Sequence, residues 1–138
     1  MKNLQRGFSL IEIMVVVVIL GILAALVVPK LMGRPDDARL IKAKQDVLTI
    51  QNALELYRLD NGIYPSTEQG LKALVQQPQT EPVPHDWRSY LKSVPKDPWG
   101  HPYLYLNPGQ HGEIDVFTYG PQGESTDATH AIGNWDEN

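Results

Sequence analysis

The sequence predicts an α+β protein in which a long N-terminal helix, membrane-spanning in its first half and amphipathic in its second, packs on a small antiparallel β-sheet. Three observations predict it. A 21-residue apolar run, Phe8 to Val28, opens the chain; apolar residues then recur every three or four positions from Leu40 to Tyr57; and two short β-like runs bracket a turn further on.

The first run carries one charge, Glu12, and one other polar residue, Ser9. As a helix rising ~1.5 Å per residue it is long enough to cross a bilayer core of ~30 Å. Lys2 and Arg6 precede it with no acidic residue among them, and positive flanks stay on the cytoplasmic side, so the bulk of the chain is expected outside. Three readings compete: a cleaved secretory signal, a permanent anchor, and a leader removed before assembly. A secretory signal has a shorter apolar region and a small-x-small cleavage site, whereas this run ends in Val27-Val28-Pro29-Lys30. An ordinary anchor leaves Glu12 unexplained, since a carboxylate in hydrocarbon costs about 3 kcal/mol or more.

Arg6-Gly7-Phe8-Ser9-Leu10-Ile11-Glu12-Ile13-Met14 resembles the processing and assembly motif of type IV pilins and type II secretion pseudopilins. The resemblance implies that a prepilin peptidase cuts between Gly7 and Phe8 and methylates the new amino group of Phe8, and that Glu12 serves assembly. Physics gives this pattern a reason of its own: a freed ammonium on Phe8 and the Glu12 carboxylate are opposite charges that neutralise one another in low dielectric. When the ammonium belongs to a neighbouring copy, the pair sets the register of a filament. The competing account of Glu12 is a carboxylate that snorkels to the membrane surface and does nothing specific. Cleavage sheds Lys2 and Arg6 but shortens the apolar run by nothing.

Pro29, Gly33 and Pro35 each weaken a helix, so a bend or melted turn is expected between the apolar half and the next. Asp36 and Asp37 suit a helix N-terminus. Leu40, Ala43, Val47, Ile50, Leu54 and Tyr57 then mark one buried face of an amphipathic helix over 36–60. Asp60-Asn61-Gly62 ends it, with Gly62 as a left-handed cap. Ser66-Thr67-Glu68-Gln69 offers a capping box for a short helix carrying Leu71, Leu74 and Val75. Residues 78–90 read as loop, and Lys96-Asp97-Pro98-Trp99-Gly100 as a tight turn whose Trp99 plugs the core. Tyr103–Leu106 and Ile114–Thr118 should pair antiparallel around Asn107-Pro108-Gly109, and the polar tail from Gly120 to Asn138 reads as loop.

Leu59-Asp60-Asn61-Gly62-x-Tyr64-Pro65, Gln69-Gly70-Leu71-x-Ala73-Leu74, Asp97-Pro98-Trp99-Gly100 and Ile132-Gly133-Asn134-Trp135 extend the resemblance over nearly the whole chain, to the major pseudopilins of type II secretion, the general secretion pathway protein G family. What it implies is a type IV pilin-like fold and three segments: a leader peptide, 1–7; a transmembrane and assembly helix, 8–29; and a periplasmic domain, 30–138. The implied product is a homopolymer, the pseudopilus, that drives export of folded proteins across the outer membrane. Its implied partners are prepilin peptidase, minor pseudopilins and an inner-membrane assembly platform. The subunit is expected in the bacterial inner membrane, single-pass, with its N-terminus cytoplasmic. A major type IV pilin and a membrane-anchored periplasmic binding domain are the alternatives.

The same resemblance implies calcium in the C-terminal loop. Its ligand positions fall on Tyr119, through its backbone carbonyl, Gln122, Asp127 and Ala131, with Glu124, Ser125 or Thr126 able to supply a supplementary oxygen. Gln122 and Ala131 stand where many members carry Asp, and fewer charges predict weaker binding. The alternative is a solvated acidic loop that holds no ion. A long loop poor in apolar residues gives a hard cation a physical purpose, because 6–8 oxygen ligands can replace a missing core.

Other chemistry has little to stand on. The formal net charge of −4, with both signs intermixed, offers no platform for nucleic acid. The absence of cysteine excludes disulfides, thiol catalysis and cysteine zinc sites. His85, His101, His111 and His130 lack metal-site spacing, and no nucleophile elbow or phosphate loop occurs. No enzyme is expected.

Overall fold

The computed structural model describes residues 7–32, 34–124 and 130–136. The chain divides into two compact units, 1–38 and 39–138.

In the first unit, helix α1 spans Leu10–Met32. Ser9 caps it: the Glu12 amide donates to the Ser9 hydroxyl at 3.3 Å and to its carbonyl at 3.1 Å. From Ile13 to Leu26 the helix is apolar without interruption and exposed all round. Among the described residues no helix is long and apolar enough to cross a membrane. The helix runs through Pro29, so the chain does not break at this proline. Gly33 lies outside the described residues, and helix α2 is described from Arg34, with Pro35, Asp36 and Asp37 in its first turn. Proline is tolerated there because first-turn amides have no intrahelical acceptor to lose.

Helix α2, Arg34–Asn61, feeds the second unit. Ala43, Val47, Ile50, Leu54 and Tyr57 are buried on one face, as their spacing predicts. Leu40 is the exception at 39% exposed, one turn before that face reaches the core. Gly62, at φ +79°, terminates α2 by donating its amide to the Arg58 carbonyl at 2.7 Å. Ser66 and Gln69 then bond reciprocally, with the Ser66 amide to Gln69 Oε1 at 3.0 Å and the Gln69 amide to Ser66 Oγ at 3.1 Å. This is the predicted capping box, followed by a single 3₁₀ turn, Leu71–Leu74.

Three strands form an antiparallel sheet in the order β1-β2-β3: β1 Leu104–Leu106, β2 Asp115–Thr118 and β3 Ile132–Gly133. Leu104 faces Phe117 and Leu106 faces Asp115, so the predicted hairpin is present. The third strand is not predicted: Ile132 pairs with Thr118 and Gly133 with Phe117 inside the tail read as loop. The core joins the buried face of α2 to Leu71, Leu74, Tyr103, Tyr105, Ile114 and Val116.

Trp99 does not plug this core. It is half-buried in the turn, and the fully buried side chain there is Asp97, which collects backbone amides that the turn would otherwise leave unsatisfied. Trp87, from the loop after residue 78, packs on the core instead and donates its indole N–H to the Ala73 carbonyl at 2.7 Å.

Candidate functional site

Two regions carry the residues singled out by sequence, and they belong to different units. The first is the start of α1. Gly7 and Phe8 precede the helix outside regular secondary structure, and both are exposed, Phe8 at 80%, a placement that leaves the peptide bond between them accessible. Glu12 lies in the first helical turn, where the helix dipole favours a carboxylate. Ser9 is a further residue of this site, and its signal is legible: Ser9-x-x-Glu12 has the spacing of a capping box. The cap fixes the first turn and with it the point from which Glu12 projects.

The second region is the end of the sheet where β2 passes into the C-terminal loop. Tyr119 directly follows β2, and Gln122 closes a short 3₁₀ turn, Gly120–Gln122. Ala131 directly precedes β3. Ser125 and Asp127 lie outside the described residues. The proposed donors are all oxygens, the chemistry a hard cation takes, and β2 and β3 pair side by side, which brings the loop's two ends together. Among the described residues no group of three or more His, Asp or Glu is placed to hold a metal.

The Ile132-Gly133-Asn134-Trp135 block closes the loop. Asn134 completes the pairing that two-residue β3 begins: its amide donates to the Val116 carbonyl at 3.0 Å, its Oδ1 accepts from the Val116 amide at 3.1 Å, and its Nδ2 donates to the Ile114 carbonyl at 2.9 Å. Trp135 lies over Gly133 so closely that a Cβ there would collide with the indole. The same indole stacks on the His111 imidazole, with ring centres 3.8 Å apart and planes at 13°. His111 Nδ1 is 3.0 Å from Asp115 Oδ2, and the amides of Gln110 and His111 also donate to that carboxylate. Burial by itself pushes the Asp115 carboxyl up, but the bonds from His111 and the two amides outweigh it and hold the group below the usual carboxylate range.

An exposed apolar helix behind the Gly7-Phe8 motif, together with a sheet-backed domain in which β3 pairs with β2, defines a pilin-like filament subunit. Residues 30–135 match the family described as type II secretion system (T2SS), protein G, and residues 2–28 match the prokaryotic N-terminal methylation motif. The type II secretion system core protein G of Pseudomonas aeruginosa is 56% identical over 98% of both chains. That of Vibrio cholerae is 55% identical, over 95% of this chain and 92% of its own. The crystal structure of the major pseudopilin from the type 2 secretion system of enterohaemorrhagic Escherichia coli matches with a TM-score of 0.69 and 46% identity, over 76% of this chain and 89% of that one. The chain belongs to the type II secretion system protein G family, and its function is that of a major pseudopilin, a structural subunit of the secretion machine.

Proposed function

We propose that prepilin peptidase cuts this chain between Gly7 and Phe8, that Phe8 becomes the N-methylated first residue, and that Glu12 then pairs with the Phe8 ammonium of a neighbouring copy as the homopolymer grows. The observation that carries the reading is Glu12 in the capped first turn of a helix exposed and apolar from Ile13 to Leu26, within the stretch that matches the methylation motif. Before assembly the segment 8–29 resides in the inner membrane with the N-terminus cytoplasmic and residues 30–138 in the periplasm. Extraction into the filament exchanges lipid contacts for contacts with other copies. Minor pseudopilins and the inner-membrane platform are the remaining partners, and the role is structural, with no catalysis by this chain.

Calcium is proposed for the C-terminal loop, held through the Tyr119 carbonyl, Gln122, Ser125, Asp127 and the Ala131 carbonyl. Oxygen donors and the paired loop ends support it.

Two substitutions test the assembly reading in the full chain expressed with its secretion system. Gly7→Ala should leave the leader attached. Glu12→Ala should be cleaved normally yet yield no sheared filaments, because it removes the pairing carboxylate and leaves the cut site intact. Normal filaments from the cleaved Glu12 variant would contradict the pairing.

A further inference from the structure

The loop that follows β2 is held from the inside by a residue distant in sequence. Asp97 has a side chain with no solvent exposure. Its Oδ1 accepts from the amides of Trp99 at 3.1 Å and His101 at 2.6 Å, which closes the turn 97–101. Its Oδ2 accepts a short hydrogen bond from the Thr118 hydroxyl. That hydroxyl oxygen, buried with the residue, in turn accepts from the Gly120 amide at 3.2 Å. The relay therefore runs from the Gly120 N–H through Thr118 Oγ1 to a buried carboxylate.

The far end of the same 3₁₀ turn touches the same unit. Gly123 stands against the His101 ring, since a Cβ on it would lie 3.6 Å from Cε1 and Nε2. Gly120 and Gly123 have φ of +81° and +68°, values that confine both positions to glycine and make the turn's geometry specific. The turn 120–122 is thus fixed at its first residue by the Asp97 relay and just past its last by the ring of His101, a residue whose amide donates to Asp97.

We propose that Asp97, acting through Thr118, is the positioning residue for the entrance of the C-terminal loop: it sets the turn Gly120–Gln122 independently of any bound cation. A buried carboxylate serves this better than a neutral group because a charged acceptor roughly doubles the strength of a hydrogen bond, and it accepts from three donors at once. The consequence for calcium rests on the cation reading above, since Tyr119 and Gln122 flank and close this turn; the consequence for the turn does not.

Amide hydrogen exchange on the full chain in detergent tests the proposal, with Thr118→Val and Thr118→Ser as the paired variants. Valine removes both the donor to Asp97 and the acceptor for Gly120, while serine keeps both. Exchange at Gly120 should rise at least tenfold in Thr118→Val relative to the Val116 amide of the same strand, and return to within about threefold of wild type in Thr118→Ser. Unchanged exchange at Gly120 in the valine variant would overturn the proposal. So would an equal rise at Gly120 and Val116, which would mark a general loss of stability. A calcium titration of the melting temperature forms the second arm: the wild-type shift should shrink in Thr118→Val and be kept in Thr118→Ser. If wild type shows no shift, the cation reading fails, while the exchange result decides the positioning role by itself.

Discussion

Asn134 pairs with Val116 as though it were a further residue of two strands at once, giving its amide to the Val116 carbonyl and taking the Val116 amide on its side-chain oxygen. β3 is two residues long, too short to hold a chain terminus by its backbone alone. The side chain extends the ladder, and its Nδ2 bond to Ile114 carries it one residue further. Asn134→Ala should therefore cost about 2–3 kcal/mol, from two lost bonds and a buried orphan amide at Val116. Urea denaturation of the full chain in detergent checks the magnitude, and a loss below about 0.5 kcal/mol would show that the ladder does not depend on this side chain.

Gly133 and Trp135 make a second pair whose coupling can be measured. Gly133→Ala forces a methyl into the indole, so it should destabilise by about 1–3 kcal/mol, as overpacking does. With Trp135→Ala already in place, the same change should cost much less. A double-mutant cycle gives the difference as a coupling energy; additive effects would mean that the indole does not set the need for glycine.

Asp115 makes stability depend on acid. Its carboxyl lies below the usual range in the folded state, so its contribution is fully present above the unfolded pKa of about 3.9 and is lost as pH falls through the lower folded value. Asp115→Asn puts an amide where Gln110 and His111 donate and should be less stable than wild type at neutral pH by about 1–3 kcal/mol. That gap should close below about pH 4. Denaturation midpoints of the two proteins from pH 7 to pH 3 are the check, and parallel curves throughout would rule out this linkage.

Calcium should raise the melting temperature of the full chain, by an amount that grows with the logarithm of free calcium above the dissociation constant. Asp127→Ala should abolish the increment while leaving the calcium-free melting temperature within about 2 °C, as expected for a ligand on a polar loop. Identical calcium responses from wild type and variant would remove Asp127 from the ligand set.

The sequence makes α2, its glycine terminator, the Ser66–Gln69 box and the β1-β2 hairpin legible, because each depends on residues within a few positions of one another. β3 is hidden for the opposite reason. Two residues cannot show alternation, and the partners across the ladder from Ile132 and Gly133, Thr118 and Phe117, lie 14 or more positions away. Asp97 takes the buried place expected of Trp99 on similar grounds. An aromatic residue in a turn suggests a core plug, but the donors converging on Asp97 come from 99, 101 and 118, and only the fold brings the last of them in. At the N-terminus, Gly7, Phe8 and Glu12 are legible as a motif, and the structure adds the Ser9 cap that fixes the first turn of α1.

Cleavage after Gly7, the step proposed to make this pseudopilin able to polymerise, is tested most directly by intact-mass analysis of the chain extracted from membranes. The expected species lacks residues 1–7 and carries one added methyl group on Phe8. A chain that retains Met1 to Gly7, in cells that assemble filaments of it, would overturn the proposed cleavage.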